Sequence, residues 1–316
     1  MTKAQLFSIA LIGAGICSPA WSQSDTTPAA AAADIPSDVV VRRAIPVGEP
    51  TVLDTETLPR VLPADAKLVY SQCIVESNVI AITFDDGPDP EGTPRLLDML
   101  KERGIKATFF LVGRSVATWP DIVKRIVAEG HEVANHTWTH PQLSHYKQTR
   151  VMDELQKTHD AIVKACGVAP ILYRPPYGAI LLSQRKYIHE RFQYPTILWD
   201  VDPMDWRSPR SPAKVHDRVI AQTKPGSIIL CHDIHHETVD AMPSTLDDLK
   251  ARGFQFATVT QLINLESKTL ADRAAFVAAA HAQAAGAVPA ASPTAVPVPT
   301  PTDAAVPAIV APPANP

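Results

Sequence analysis

Short apolar runs alternate with amphipathic stretches along the middle of the chain. Residues 79–84, 107–112, 132–135, 171–174, 196–199, 227–231 and 254–259 read as strands, because each is brief, apolar and bounded by turn residues. Helical spacing fills the gaps. One helix starts at Pro94, with Thr93 as N-cap and Leu96, Leu97 and Leu100 on one face. A second opens at Pro120 and carries Ile122, Val123, Ile126 and Val127. Others cover 149–166, a stretch from Ser211-Pro212, 244–252, a short piece from Gln261 and an Ala-rich run at 271–285. Gly104, Gly130, Gly167 and Gly253 mark four helix ends. Seven β/α steps predict a parallel sheet with helices outside it.

Polar motifs follow five of these strands. An open sheet gathers ligands at one switch point, whereas a closed barrel brings every strand's carboxyl end to one face. The count falls one short of the eight-stranded barrel. The expected fold is therefore α/β, a distorted or incomplete (β/α) barrel of about seven parallel strands in a single catalytic domain over residues 67–285.

The flanks read differently. Residues 1–22 have the form of a secretory signal: Lys3, an apolar run over 6–16 and small residues at Ala20 and Ser22. The run is shorter than the roughly 18–20 residues a membrane span needs. Cys17 would be modified in a lipoprotein signal, but bulky Ile16 stands where such a signal carries a small residue. Residues 23–66 read as a linker and irregular lead-in, and 286–316, with nine prolines, as an Ala/Pro-rich disordered tail. An exported protein, periplasmic or secreted, is expected, with no transmembrane segment. Cys73, Cys166 and Cys231 would remain after cleavage, so at least one thiol stays free. Cys231 reads as a small buried hydrophobe, and a Cys73–Cys166 pairing is left open. A net charge of -4 over 316 residues gives no footprint for nucleic acid. A monomer is expected.

The chemistry lies in five motifs. Asp85 and Asp86 end the first strand, where adjacent side chains point in different directions. One can bind a metal while the other faces water. His136 and His140 are four apart, which on a helical turn places two imidazoles on one face. Together with Asp86 they make a two-imidazole, one-carboxylate set with open positions, the arrangement of a catalytic metal centre. Arg174 is a fixed cation able to orient a carboxylate, and Tyr177 and Gly178 follow it with backbone N–H groups for an oxyanion. An aspartate in Asp202-Pro203-Met204-Asp205-Trp206 can fix a histidine's tautomer, and Trp206 can wall a pocket. His232 ends an apolar strand, placed to give a proton to a leaving group. His235 and His236 read as a loop or substrate edge. Taken singly, each motif is as well explained by turns, caps or solvated side chains.

Taken together, over residues 80–262, they resemble the polysaccharide deacetylases of carbohydrate esterase family 4. Five of that family's motifs stand in order: T-F-D-D-G, H-T-x-x-H, R-P-P-Y, D-x-x-D-W and L-x-H. The resemblance implies one divalent metal, zinc or else cobalt or nickel, held by Asp86, His136 and His140. It implies Asp85 as general base oriented by Arg174, and His232 as general acid tuned by Asp205. It implies a Tyr177 N–H at the oxyanion, and Trp206 with Leu230 around the acetyl group. The implied reaction removes N-acetyl groups from N-acetylglucosamine units of a glycan. Xylan O-acetyl esterase and non-catalytic glycan binder are the alternatives; intact motifs argue against the second, and the absence of His-Glu-x-x-His argues against a metalloprotease.

Overall fold

The computed structural model describes residues 53–286, so the leader, most of the linker and the Pro-rich tail lie outside the described residues. Among the described residues are seven strands: β1 Val69–Tyr70, β2 Val79–Asp85, β3 Thr108–Leu111, β4 Glu132–Asn135, β5 Thr196–Ile197, β6 Ile228–His232 and β7 Gln255–Phe256. Eight α-helices lie between and after them: α1 Gly92–Glu102, α2 Gly113–Thr118, α3 Pro120–Ala128, α4 Gln148–Cys166, α5 Leu182–Phe192, α6 Pro212–Gln222, α7 His236–Ala251 and α8 Val259–Gly286.

Every strand pair is parallel. The order β4-β3-β2-β6 forms one sheet, and β7 joins β2 at Val79–Ile80. Beyond β4 the ladder thins to single bridges, Asn135 to Tyr173 and Tyr173 to Thr196, and Val201 bridges back to Ile229 in β6. The ring is thus carried partly by isolated bridges, which is the distortion expected of an incomplete barrel. Residues 171–174 contribute a single bridging residue, Tyr173, rather than a strand.

Alternation along β2 sorts the core. Ile80, Ile82 and Phe84 pack with the helix residues Leu96, Leu97, Leu100, Val219 and Leu246. Val79 and Ala81 face the second cluster, with Phe110, Leu172, Ile197 and Leu262. Thr83 and Asp85 continue this second face, because side chains on a strand repeat every two residues. Both faces are buried, hence the nearly unbroken apolar run. Leu53, Leu58 and Leu62 also pack against the second cluster, ahead of the first strand.

Several elements differ from the sequence reading. Glu91, not Thr93, stands at the N-cap of α1 and makes no side-chain cap, and Asp89 Oδ1 accepts from Gly92 N at 2.6 Å instead; Thr93 sits one position inside the helix and turns its hydroxyl to Asp233. α2 and α5 were not foreseen. α7 starts at His236 and runs through Pro243, since Val239, Met242 and Leu246 bury one continuous face. The two expected C-terminal helices are one, α8. The four helix-ending glycines do take positive φ. Cys73, Cys166 and Cys231 are all free thiols, and Cys231 is buried.

Candidate metal and catalytic centre

Asp85 is the last residue of β2, and its register partner His232 is the last residue of the adjacent β6. His136 leaves β4, Arg174 leaves the Tyr173 bridge, and Asp205 lies in the turn after Val201. All five groups therefore stand just past, or at the last residue of, a strand or single bridge of the ring.

Arg174 is completely buried. Its Nη1 donates to Asp85 Oδ1 at 2.6 Å and to Thr83 Oγ1 at 2.7 Å. Nε and Nη2 donate to the carbonyls of Ile197 (3.3 Å) and Leu198 (3.1 Å). The guanidinium lies 4.0 Å from the centroid of the Phe110 ring. Burial lowers its pKa and the Asp85 charge raises it, and an arginine so paired stays cationic. One oxygen of Asp85 is thereby fixed, and Oδ2 faces the site, 3.7 Å from His136 Nε2.

His136 Nδ1 donates to the Arg174 carbonyl at 2.8 Å. A carbonyl only accepts, so the proton sits on Nδ1 and Nε2 presents a lone pair, as in metal-ligating histidines. Asp86 Oδ1 lies 3.4 Å from that Nε2 and 3.2 Å from His140 Nε2. It is buried and has no hydrogen-bond partner. Donor atoms sharing a tetrahedral ion at about 2.0–2.1 Å stand about 3.3 Å apart. The residues present therefore fit a divalent cation. Burial alone would raise Asp86, but His136 and His140, with His232 beyond, more than offset it and hold the carboxyl well below its usual range. Burial and the neighbouring His136 lower His140.

The two imidazoles do not share a helical turn as their spacing suggested. Thr137 and His140 have φ of 69° and 57°, so the chain bends back on itself and brings the ring centroids to 4.9 Å. His140 N donates to Thr137 Oγ1 at 3.1 Å, and Thr137 N to Asn135 Oδ1 at 3.0 Å.

Across the site, His232 Nδ1 donates to Asp205 Oδ1 at 2.7 Å, leaving Nε2 free. Asp205 Oδ2 accepts from His232 N and from Thr238 Oγ1, each at 2.8 Å. Burial would lower His232, yet the Asp205 hydrogen bond and charge, with Asp85 and Asp86, push it up to about 9. The same pairing outweighs burial at Asp205 and lowers its pKa. Tyr177 has φ 61° and packs its ring edge-on to His140 at 4.8 Å. Leu230 is buried in β6, whereas Trp206 is 50 % exposed. Asp200 and Asp202 hold structure instead: Asp200 accepts from Ile228 N, and Asp202 from Met204 N. His235 precedes α7, its ring 5.9 Å from His232.

Sequence reasoning passed over Thr83, Thr238 and Glu154. Thr83 had a signal, since it shares the Asp85 face of β2. Glu154 had one too, as a carboxylate on the apolar stripe of α4 beside Val151 and Leu155. Thr238 had none.

Comparisons with known proteins point to one family. Residues 74–194 match the family model for polysaccharide deacetylase. The chain is 40 % identical over 203 residues to the peptidoglycan-N-acetylglucosamine deacetylase PgdA of Listeria monocytogenes, covering 64 % of this chain and 42 % of that protein. It thus spans about two fifths of that relative's length. A chitooligosaccharide deacetylase of Bradyrhizobium is 38 % identical over 198 residues, covering 58 % of this chain and 90 % of the relative. The solved structure of the peptidoglycan deacetylase PdaC from Bacillus subtilis superposes with a TM-score of 0.59 at 38 % identity, covering 63 % of this chain and 96 % of that one. With nearly the whole of the Bradyrhizobium relative and of the solved PdaC chain matched, and the motifs gathered at one end of the barrel, the chain belongs to the polysaccharide deacetylase family.

Proposed function

We propose that the chain is a metal-dependent hydrolase that removes N-acetyl groups from N-acetylglucosamine units of a peptidoglycan or chitin-type glycan and releases acetate. The observation that carries this is the opposition of two proton-handling pairs, Arg174–Asp85 and Asp205–His232, on adjacent strand ends beside the Asp86–His136–His140 donor set. Related proteins named for peptidoglycan and chitooligosaccharide deacetylation support the substrate class.

Asp86, His136 and His140 would hold the cation, zinc in first place and cobalt or nickel as substitutes. When bound it supplies Lewis acidity to the attacking water and the amide carbonyl. Asp85 takes the water proton at Oδ2, because Oδ1 is committed to Arg174. The backbone N–H of Tyr177 donates to the developing oxyanion; removing one such donor costs about 10²–10³ in rate. His232 carries its mobile proton on Nε2 and delivers it to the amine nitrogen as the C–N bond breaks. Leu230 and Trp206 line the acetyl methyl. The products are acetate and a free glucosamine amine. Export, to the periplasm or beyond the cell, belongs to the same reading and rests on the leader pattern of residues 1–22. No helix among the described residues is long and apolar enough to cross a membrane.

The test is acetate release from peptidoglycan, chitin oligomers and acetylxylan side by side, with zinc and with cobalt. Release from either amide-bearing glycan supports the proposal. Release from acetylxylan alone makes the protein an esterase.

A further inference from the structure

The loop bearing His136 and His140 has no regular structure, and its bends are costly. Positive φ is uncommon outside glycine and worst for a β-branched residue such as Thr137. A contact from outside must hold it. Glu154, 1 % exposed on α4, makes that contact. Its Oε2 accepts from Trp138 N at 3.0 Å and Thr139 N at 2.7 Å. Its Oε1 accepts from Thr139 Oγ1 at 2.8 Å and lies 2.7 Å from Arg150 Nη2. The next residue on α4 helps: the Leu155 carbonyl accepts from Asn135 Nδ2 at 2.9 Å. On the other side Gly113 N and Arg114 N donate to the Thr137 and Trp138 carbonyls at 2.9 and 3.2 Å. Gly113 is required there, because a Cβ would come within 2.3 Å of Trp138 Cε3.

We infer that Glu154 is a positioning residue for the metal centre: by clamping residues 138–139 to α4 it sets the separation and direction of the His136 and His140 imidazoles. This rests on the metal-site reading proposed above. Its logic is chemical. Two amide N–H groups, a hydroxyl and a guanidinium converge on one buried point, and only a carboxylate accepts from all four. Glutamine at this position keeps one acceptor oxygen for the two N–H groups and turns its NH₂ against the donors of Arg150. Alanine removes every bond.

Zinc affinity of the metal-stripped protein, measured by competition with a chromophoric chelator, tests this beside denaturant unfolding of the same apoprotein. Glu154→Ala should weaken zinc binding about 10–100-fold, as loss of an outer partner of a metal ligand does. Glu154→Gln should lose less. Arg150→Ala, which spares the loop bonds, should leave affinity unchanged. Folded Glu154→Ala and Glu154→Gln proteins with unaltered zinc affinity overturn the inference, whether or not their stability falls, since Glu154 then only supports the fold. If the alanine variant does not fold, the glutamine variant decides. His140→Ala separates the two claims. Loss of zinc there but not in Glu154→Gln removes only the positioning role. Retained zinc there removes the metal site and this inference with it.

Discussion

Asp205→Asn should shift the alkaline limb of the rate profile and leave the metal in place. In the wild type, His232 Nδ1–H donates a hydrogen bond to Asp205 Oδ1 at 2.7 Å and the histidine is pushed up to about 9, from 6.5. At about 1.4 kcal/mol per pKa unit, that rise is worth about 3 kcal/mol of preference for the charged ring. A neutral asparagine removes the charge and one acceptor, so burial of His232 is no longer offset by its main partner. If the pKa returns toward 6.5, the protonated share at pH 7.5 falls from nearly all to about one tenth. The rate at that pH should fall at least as far. A cation held by Asp86 offsets part of that carboxylate's influence, so the limb of the loaded enzyme lies below 9. The assay is kcat/KM against pH on a chitin oligomer, with metal content measured on the same samples. Stability gives an independent reading. The raised His232 pKa contributes stability that is fully present below about 6.5 and lost as pH rises through about 9. The wild type's advantage over Asp205→Asn should shrink across that window. An alkaline limb that does not move in the variant would refute the pairing as the source of the general acid.

Four further substitutions probe the site and the packing beside it. Asp85→Asn should keep its metal and lose about 10²–10⁴ in rate, as loss of a general base does; Asp86→Asn should lose metal, and the reverse pattern in metal analysis would swap the two roles. Arg174→Met strands the buried Asp85 carboxylate and should cost about 3–5 kcal/mol in denaturant unfolding. Asp85→Asn added to it should restore part of that, and strictly additive losses would deny the coupling. Gly92→Ala would drive a Cβ to 2.0 Å from the Asp233 carbonyl oxygen, so a loss of about 1–3 kcal/mol is expected, and an unchanged unfolding midpoint would contradict the packing.

The parts of this protein that were legible in sequence are those set by local rules. The period-2 split of β2 into Ile80, Ile82 and Phe84 against Val79, Ala81, Thr83 and Asp85 is one. The N-cap at Ser211, whose hydroxyl accepts from Lys214 N, is another. The motif residues could be named because each follows a strand, and the barrel brings strand ends together. What stayed hidden is non-local or weakly patterned. α5 buries only Gln184 and Ile188, so its sequence shows no apolar stripe. α2 is six residues long and buries a single large side chain, Val116. Four-residue spacing made His136 and His140 look helical. Their loop is instead shaped by Glu154, a partner 14–18 residues away, whose place on the apolar stripe of α4 marks it as buried without saying which loop it holds. Read from sequence, this helix begins at Ser244, just past Pro243, a residue that breaks a helix in isolation, whereas here the burial of one face of α7 carries the helix through it.

Amide hydrolysis that depends on the Asp86–His136–His140 site is tested by the stoichiometry of its products. Acetate and free glucosamine amine should be counted together from a chitin oligomer or peptidoglycan, using the chelator-stripped protein before and after zinc is restored. One amine is expected for each acetate, with no release from the stripped protein and recovery with zinc. Acetate released without amine, or equal release from the stripped protein, would contradict it.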